Sequence, residues 1–308
     1  MKKIVITGSN GLLGQQLVKL LLTKKGYEIH ALSKGPNRLL HKKGYTYYSI
    51  DLTDFQALRS LLNEIQPDMV VHTAAMTNVD ACELQKELCD KVNIDLVSSI
   101  VDYCKSHDSY LVHLSTDFIF DGNKGTIYKE EDEASPVNYY GLSKLKSEEI
   151  ILTSKMRSAI LRTILVYGLV DANDRNNIVL WVKKSLEQKQ DINVVTDQLR
   201  MPTLADDLAE ACFLAIEKEA NGVFNVSSSV LMSIYEIALM VADAFGLDKK
   251  YIHPIDSKGL VLPAKRPFST GFDLNKSISQ LNLPSYSFEE RLQVFKDQLT
   301  KYEEPGEG

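Results

Sequence analysis

The stretch NYYGLSKLKSE, residues 138–148, sets two tyrosines ahead of a lysine. On a helix, residues four apart share a face, so Tyr140 neighbours Lys144 while Tyr139, five residues away, faces elsewhere. An ammonium beside a phenol favours the phenolate and draws its pKa, ordinarily about 10, toward working pH. Tyr140 is therefore a candidate general acid, with Lys144 as its electrostatic partner. The same spacing also occurs on ordinary amphipathic helices, so the pair takes its meaning from its surroundings.

A second candidate is VITGSNGLLG, which follows the first apolar run and opens a helical one. Gly8, Gly11 and Gly14 provide a tight turn, a bare backbone for a pyrophosphate and close helix–strand packing. The helix start adds free N–H groups and a positive dipole end. The segment Gly8, Asn10, Gly11, Leu12, Leu13, Gly14 is thus a candidate dinucleotide cradle. An NAD site usually has an acid at the end of the second strand, to bind the ribose 2′-hydroxyl. Here that place holds Ser33 and Lys34, with Arg38 nearby. A hydroxyl and cations suit a 2′-phosphate, so NADP(H) is preferred and NAD(H) possible. Lys34 and Arg38 also fit a second description, as solvated loop charges. Asp51 and Leu52 end the third strand, where Asp51 either meets the adenine edge or caps the next helix.

These residues need a scaffold, and the periodicity supplies one. KKIVITG, YEIHAL, YTYYSIDL, DMVVHTA, YLVHLST and AILRTILVYG read as strands, with helical segments such as LLGQQLVKLLLTKKG and FQALRSLLNEIQ between most of them. Such alternation predicts an α/β, Rossmann-like, doubly wound parallel sheet. Several strands are apolar almost throughout, as when both faces are covered. The pattern changes after about residue 168. The reading is a dinucleotide-binding domain over 1–168, rejoined by a segment near 204–228, and a smaller C-terminal α/β substrate lobe over 169–203 and 229–308. Within the latter half NNIVLWVKKSLEQKQ, LADDLAEACFLAIEKEA and SIYEIALMVADAFG read as helices, the last capped by Ser233. DINVVTD and GVFNVSS read as strands, and the tail YEEPGEG as a frayed end.

Composition narrows the class. The 308 residues carry a formal charge of −6, which disfavours a nucleic-acid partner. No apolar run reaches the roughly 20 residues of a membrane span, and the apolar stretch after the opening lysines is too short for a signal peptide. Cys82, Cys89, Cys104 and Cys212 lack C-x-x-C spacing, so neither a disulfide framework nor a metal is indicated. A cytoplasmic protein is expected, with a homodimer possible.

Together, TGSNGLLG, HTAA, LSTDFIFDG and YYGLSK resemble the extended short-chain dehydrogenase/reductase family. AAMTNVDACE, the run from STDFIFDG to YYGLSK, DQLRMPTLADDLA and KRP resemble its dTDP-4-dehydrorhamnose reductase branch over nearly the whole chain. The resemblance implies NADPH-dependent reduction of a 4-keto nucleotide sugar. Thr116 would hydrogen-bond the carbonyl, Tyr140 would donate the proton, and Lys144 would hold ribose and phenol. Thr73, Ala74 and Ala75 would lie along the cofactor, with Asn93 supporting the site. Met76, Asp117, Phe118, Gln198, Arg200 and Arg266 would lie near the sugar nucleotide.

Three departures bear on the substrate and on metal use. Phe118 replaces the branch's usual Tyr, Leu165 a Trp beside the sugar, and Gln16 a Glu that some members use in a metal-bridged dimer. Phe118 also cannot serve as a base, which disfavours the dehydratases of this fold. Two rivals stay open: a nucleotide-sugar epimerase, and a silent NADP-binding subunit resembling the methionine adenosyltransferase regulatory subunit.

Overall fold

A computed structural model describes residues 1–171 and 177–303. Its centre is a sheet that includes β1 (Lys2–Thr7), β2 (Tyr27–Ser33), β3 (Thr46–Ser49), β4 (Met69–His72), β5 (Tyr110–Thr116) and β6 (Ser158–Thr163). The seventh strand is Gly222–Val226, beside β6. All neighbours run parallel, in the order Gly222–Val226, β6, β5, β4, β1, β2, β3. The order reverses between β1 and β4, and ligands of open α/β sheets gather at the carboxyl ends of such strands.

The apolar runs at the middle of the sheet explain its position. Ile4, Val5, Ile6, Val70, Val71, Leu111 and Val112 are fully buried, so both faces are covered. On one face helix α1 (Leu12–Leu22) packs with helix Ala205–Lys218, through Leu17, Val18, Leu208 and Cys212. On the other, helix α2 (Phe55–Ile65) and helix Leu96–His107 contribute Leu58, Leu62, Ile100 and Val101.

A second core joins helices Ile178–Glu187, Ile234–Phe245 and Phe288–Glu303 through Val179, Val182, Ile237, Val241, Phe288 and Phe295. Ser233 caps its helix in a reciprocal capping box with Glu236. Ile192–Val195 pairs in parallel with Ile252–Ile255. Two further ladders are only two residues long: Val166–Tyr167 with Thr203–Leu204, and Leu199–Arg200 with Met232–Ser233. Such pairs are too short to leave a period in the sequence. The last five residues of the tail lie outside the described residues. Among the described residues no helix is long and apolar enough to cross a membrane.

Candidate active site

A cleft of about 810 Å³ opens at the carboxyl ends of the strands. Its floor at one end is the glycine loop, from Gly8 and Asn10 to Gly14. Gly8 has φ +70°, and a Cβ there would sit 2.8 Å from Ala74 N. A Cβ on Gly14 would lie 2.4 Å from Gly8 O, so the helix meets the turn at backbone distance. No side chain caps α1 at its N-cap Gly11, whereas Asp54 caps α2 and Asn138 caps helix Tyr139–Ser154. An uncapped helix end floored by bare glycines fits the pyrophosphate of a dinucleotide. Asn10 braces the loop, donating to Tyr47 Oη and Pro36 O at 3.0 Å each and accepting from Arg38 N at 2.9 Å.

Ser33, Lys34, Asp51 and Leu52 line the same end, and Thr73, Ala74 and Ala75 the wall after β4. Lys34 Nζ pairs with Asp51 at 2.7 Å. That bond first, then those from Thr53, holds the Asp51 carboxyl down at about 2. The cap reading of Asp51 is corrected: Asp54 caps α2, accepting from Ala57 N, while Asp51 accepts from Thr53 N and Oγ1 at 3.0 and 2.8 Å.

Thr116, Tyr140 and Lys144 all line the other part of the cleft. Thr116 ends β5, and its hydroxyl accepts from Phe118 N at 3.2 Å and donates to Asp117 Oδ1 at 3.1 Å. Tyr140 stands in the first turn of its helix, edge-on to the Phe118 ring at 5.8 Å. Gly141 permits that approach, since a Cβ there would fall 2.0 Å from Phe118 O. Tyr139 turns away and donates to the Asp90 carboxylate at 2.8 Å.

The electrostatics differ from the sequence-based expectation. Burial pushes the Tyr140 phenol up, with the Thr116 hydroxyl pulling the other way and the Asp117 charge adding to the rise. The expected lowering by Lys144 is not found. The lysine is 2% exposed, and its Nζ donates to His113 Nε2 at 3.0 Å. Burial brings Lys144 down to about 8, against a smaller opposing pull from Glu148. Near neutral pH the site therefore presents a protonated phenol beside an ammonium, the states a proton donor and its partner need.

The sugar-side residues divide. Asp117 and Phe118 line the cleft, and Leu165 lines it with φ +40°. Asp117 is buried, which raises its carboxyl, and Arg200 Nε at 3.5 Å opposes the rise. Met76, Asn93, Gln198, Arg200 and Arg266 are not in the cleft wall. Asn93 accepts from Met76 N at 2.8 Å and donates to Met76 O and Ser143 Oγ at 3.1 and 3.0 Å. It supports the wall from behind. Arg200 donates to the carbonyls of Leu199, Pro267 and Phe268 and lies over the Phe118 ring. Arg266 grips Asp80 through both arms at 2.6 Å each. The Gln198 carbonyl accepts from Ile234 N. Gln16 donates to Leu169 O at 2.7 Å.

Four contributors escaped the sequence reading: Gly141, Asn138, His72 and His113. Gly141 sits in YYG, directly after the phenol. The histidines interrupt the buried runs VVH and LVH, and a polar residue in an otherwise apolar strand is a visible signal.

The chain matches the family model for the RmlD substrate binding domain over residues 1–301. It belongs to that family. The match places it among the extended short-chain dehydrogenases/reductases, beside the dTDP-4-dehydrorhamnose reductases. It is 36% identical to the spore coat polysaccharide biosynthesis protein SpsK of Bacillus subtilis (strain 168), over 80% of this chain and 81% of that one. It is 30% identical to methionine adenosyltransferase 2 subunit beta of Rattus norvegicus, over 89% and 81% respectively. A solved dTDP-4-dehydrorhamnose reductase from Bacillus anthracis, in complex with NADP, superposes with a TM-score of 0.84 at 27% identity. That superposition covers 97% of this chain and 100% of the other. An NAD(P)-dependent, reductase-like RmlD-family member is thus the coarse description of the chain.

Proposed function

We propose that this RmlD-family chain uses NADPH to reduce the 4-keto group of a nucleotide sugar of the dTDP-4-dehydrorhamnose kind. The observation that carries this reading is the meeting of Tyr140, Thr116 and Lys144 in the cleft floored by the glycine loop. Ketone reduction needs a hydride, a group that stabilises the developing oxyanion and a proton donor. The nicotinamide supplies the hydride, which no side chain can give. The chain's own residues do the rest. The glycine loop and α1 hold the phosphates, Thr116 orients the carbonyl oxygen, Tyr140 Oη passes its proton to that oxygen, and Lys144 steadies the charge left on the phenol. Ser33 and Lys34 favour the 2′-phosphate of NADPH, with NADH as the weaker alternative.

The similarity to methionine adenosyltransferase 2 subunit beta favours one second reading, a cofactor-binding subunit without turnover. Mixing the protein with NADPH and dTDP-4-dehydrorhamnose, then following the nicotinamide absorbance, separates the two. Oxidation of NADPH supports the reductase. Tight NADPH binding with no oxidation across a panel of keto-sugar nucleotides supports the subunit.

A further inference from the structure

Behind the cleft lies a buried group of polar side chains that the proposed mechanism does not use. His113 of β5 and His72 of β4 stack with centroids 5.4 Å apart and planes 19° from parallel. His113 is fully buried and His72 is 2% exposed. His72 Nδ1 meets Thr7 Oγ1 at 2.7 Å. His113 Nε2 meets Lys144 Nζ at 3.0 Å and Ser147 Oγ at 3.2 Å.

The ammonium contact assigns the ring's proton. Ser147 already donates its hydroxyl proton to Lys144 O at 2.6 Å, so it has none for His113. The Lys144 ammonium is donor only. A proton on Nε2 would set two donors face to face at the 3.0 Å contact, so while Lys144 is charged a bare Nε2 accepts from it, and the 3.2 Å approach of Ser147 Oγ is then not a hydrogen bond. The proton then sits on Nδ1, which is buried with no partner among the described residues. An unmet buried donor is costly. The ring stays in this tautomer because the ammonium is in front of it.

We infer that His113 is a positioning residue for Lys144: its bare Nε2 accepts one ammonium proton from behind and holds the amine against the cleft wall. The ring does this as a neutral base. Burial first, then the Lys144 charge and His72, pushes His113 well below the ordinary imidazole range. Among the described residues, His113 and His72 act on Lys144 from the sheet, Glu148 from its own helix and Cys89 from helix Lys86–Asp90, while Tyr140 shares the cleft lining with it. Glu148 is already engaged by Arg162 through three contacts of 2.7 to 3.2 Å, so its pull is shared. Glu148 and Cys89 oppose the burial of the lysine through space, and His113 is the acceptor in direct contact with its Nζ.

This inference deepens the function proposed above, since it concerns how Lys144 is made ready, and its deciding readout, a titration of the protein alone, needs no cofactor. Protein labelled at the lysine side chains is titrated by NMR, with the Lys144 signal assigned by its loss in Lys144→Met. The wild-type midpoint should fall near 8. In His113→Leu, with no acceptor, it should drop by about one to two pH units. In His113→Gln, whose amide oxygen can reach the Nε2 position, it should return to within about half a unit of wild type. The falling limb of kcat/KM against pH should move by the same amounts. Equal midpoints in wild type and His113→Leu would overturn the inference, as would a Gln variant that behaves like Leu. Should the Leu variant not fold, the histidine ¹⁵N spectrum of the wild type decides. Protonated Nδ1 with bare Nε2 supports the inference, and protonated Nε2 sinks it. Failure to oxidise NADPH would count against the reductase reading alone.

Discussion

The two ends of the cleft are built differently. At the cofactor end the binding groups are backbone atoms, fixed by glycines that tolerate no Cβ, and α1 opens there with no side chain satisfying its first turn. Behind the end expected to take the sugar, the polar side chains already have protein partners and stand outside the cleft wall. Arg266 holds Asp80, Arg200 holds three carbonyls beside Asp117, and Asn93 fastens Met76. The first end is preorganised for a ligand common to many enzymes. The side chains behind the second could touch a bound molecule only after being released or re-aimed, and Phe118 and Leu165 line the cleft in front of them. Specificity is thus expected to reside in the less rigid end.

Five substitutions break or sharpen this contrast. Tyr140→Phe should cost about a hundredfold to ten-thousandfold in kcat, because only the transferable proton is removed. NADPH affinity by fluorescence titration should stay within about twofold, as the ring remains. Tyr139→Phe, which removes only the bond to Asp90, should change kcat less than about threefold. Equal losses in the two variants would refute the assignment of the phenol.

At the cofactor end, Gly14→Ala should weaken NADPH about tenfold to a hundredfold, since the added methyl pushes the helix off the loop. If calorimetry shows wild-type NADPH affinity in that variant, the phosphates do not rest there. Lys34→Glu is gentler because the pair with Asp51 is exposed and screened. The ratio of NADPH to NADH affinity should fall about threefold to tenfold, and an unchanged ratio would make Lys34 a plain surface charge. Arg266→Ala should have a smaller effect than either cofactor-end variant. It should raise the sugar-nucleotide KM a few-fold and leave the NADPH Kd alone. A larger effect on NADPH than on the sugar nucleotide would dissolve the distinction between the two ends.

Legibility in the sequence follows the same division. The glycine trio, the apolar strands and the Tyr–Lys spacing are local patterns, and each is read over fewer than about ten residues. The capping box at Ser233 is equally local. By contrast, the pairing of Arg266 with Asp80 spans 186 positions and that of Asp117 with Thr270 spans 153, so no window contains both partners. Two-residue ladders such as Leu199–Arg200 with Met232–Ser233 carry no period at all. The pKa of Tyr140 shows the limit most clearly. Spacing put an ammonium one turn away and suggested a lowered phenol, yet depth below the surface outweighs it and the lysine's nearest partner is on β5.

From sequence alone come the alternation of periods that demands a covered parallel sheet, the glycine turn at the first strand's end and the turning of Tyr140 and Tyr139 to different faces of their helix. Those depend on backbone geometry and on neighbours within one or two turns. Tertiary structure alone decides that His113 stands behind Lys144, that Gly141 lets the phenol's helix touch the Thr116 loop, and that the sugar-side arginines are already engaged. These depend on burial and on contacts between segments far apart in the chain, which only folding brings together.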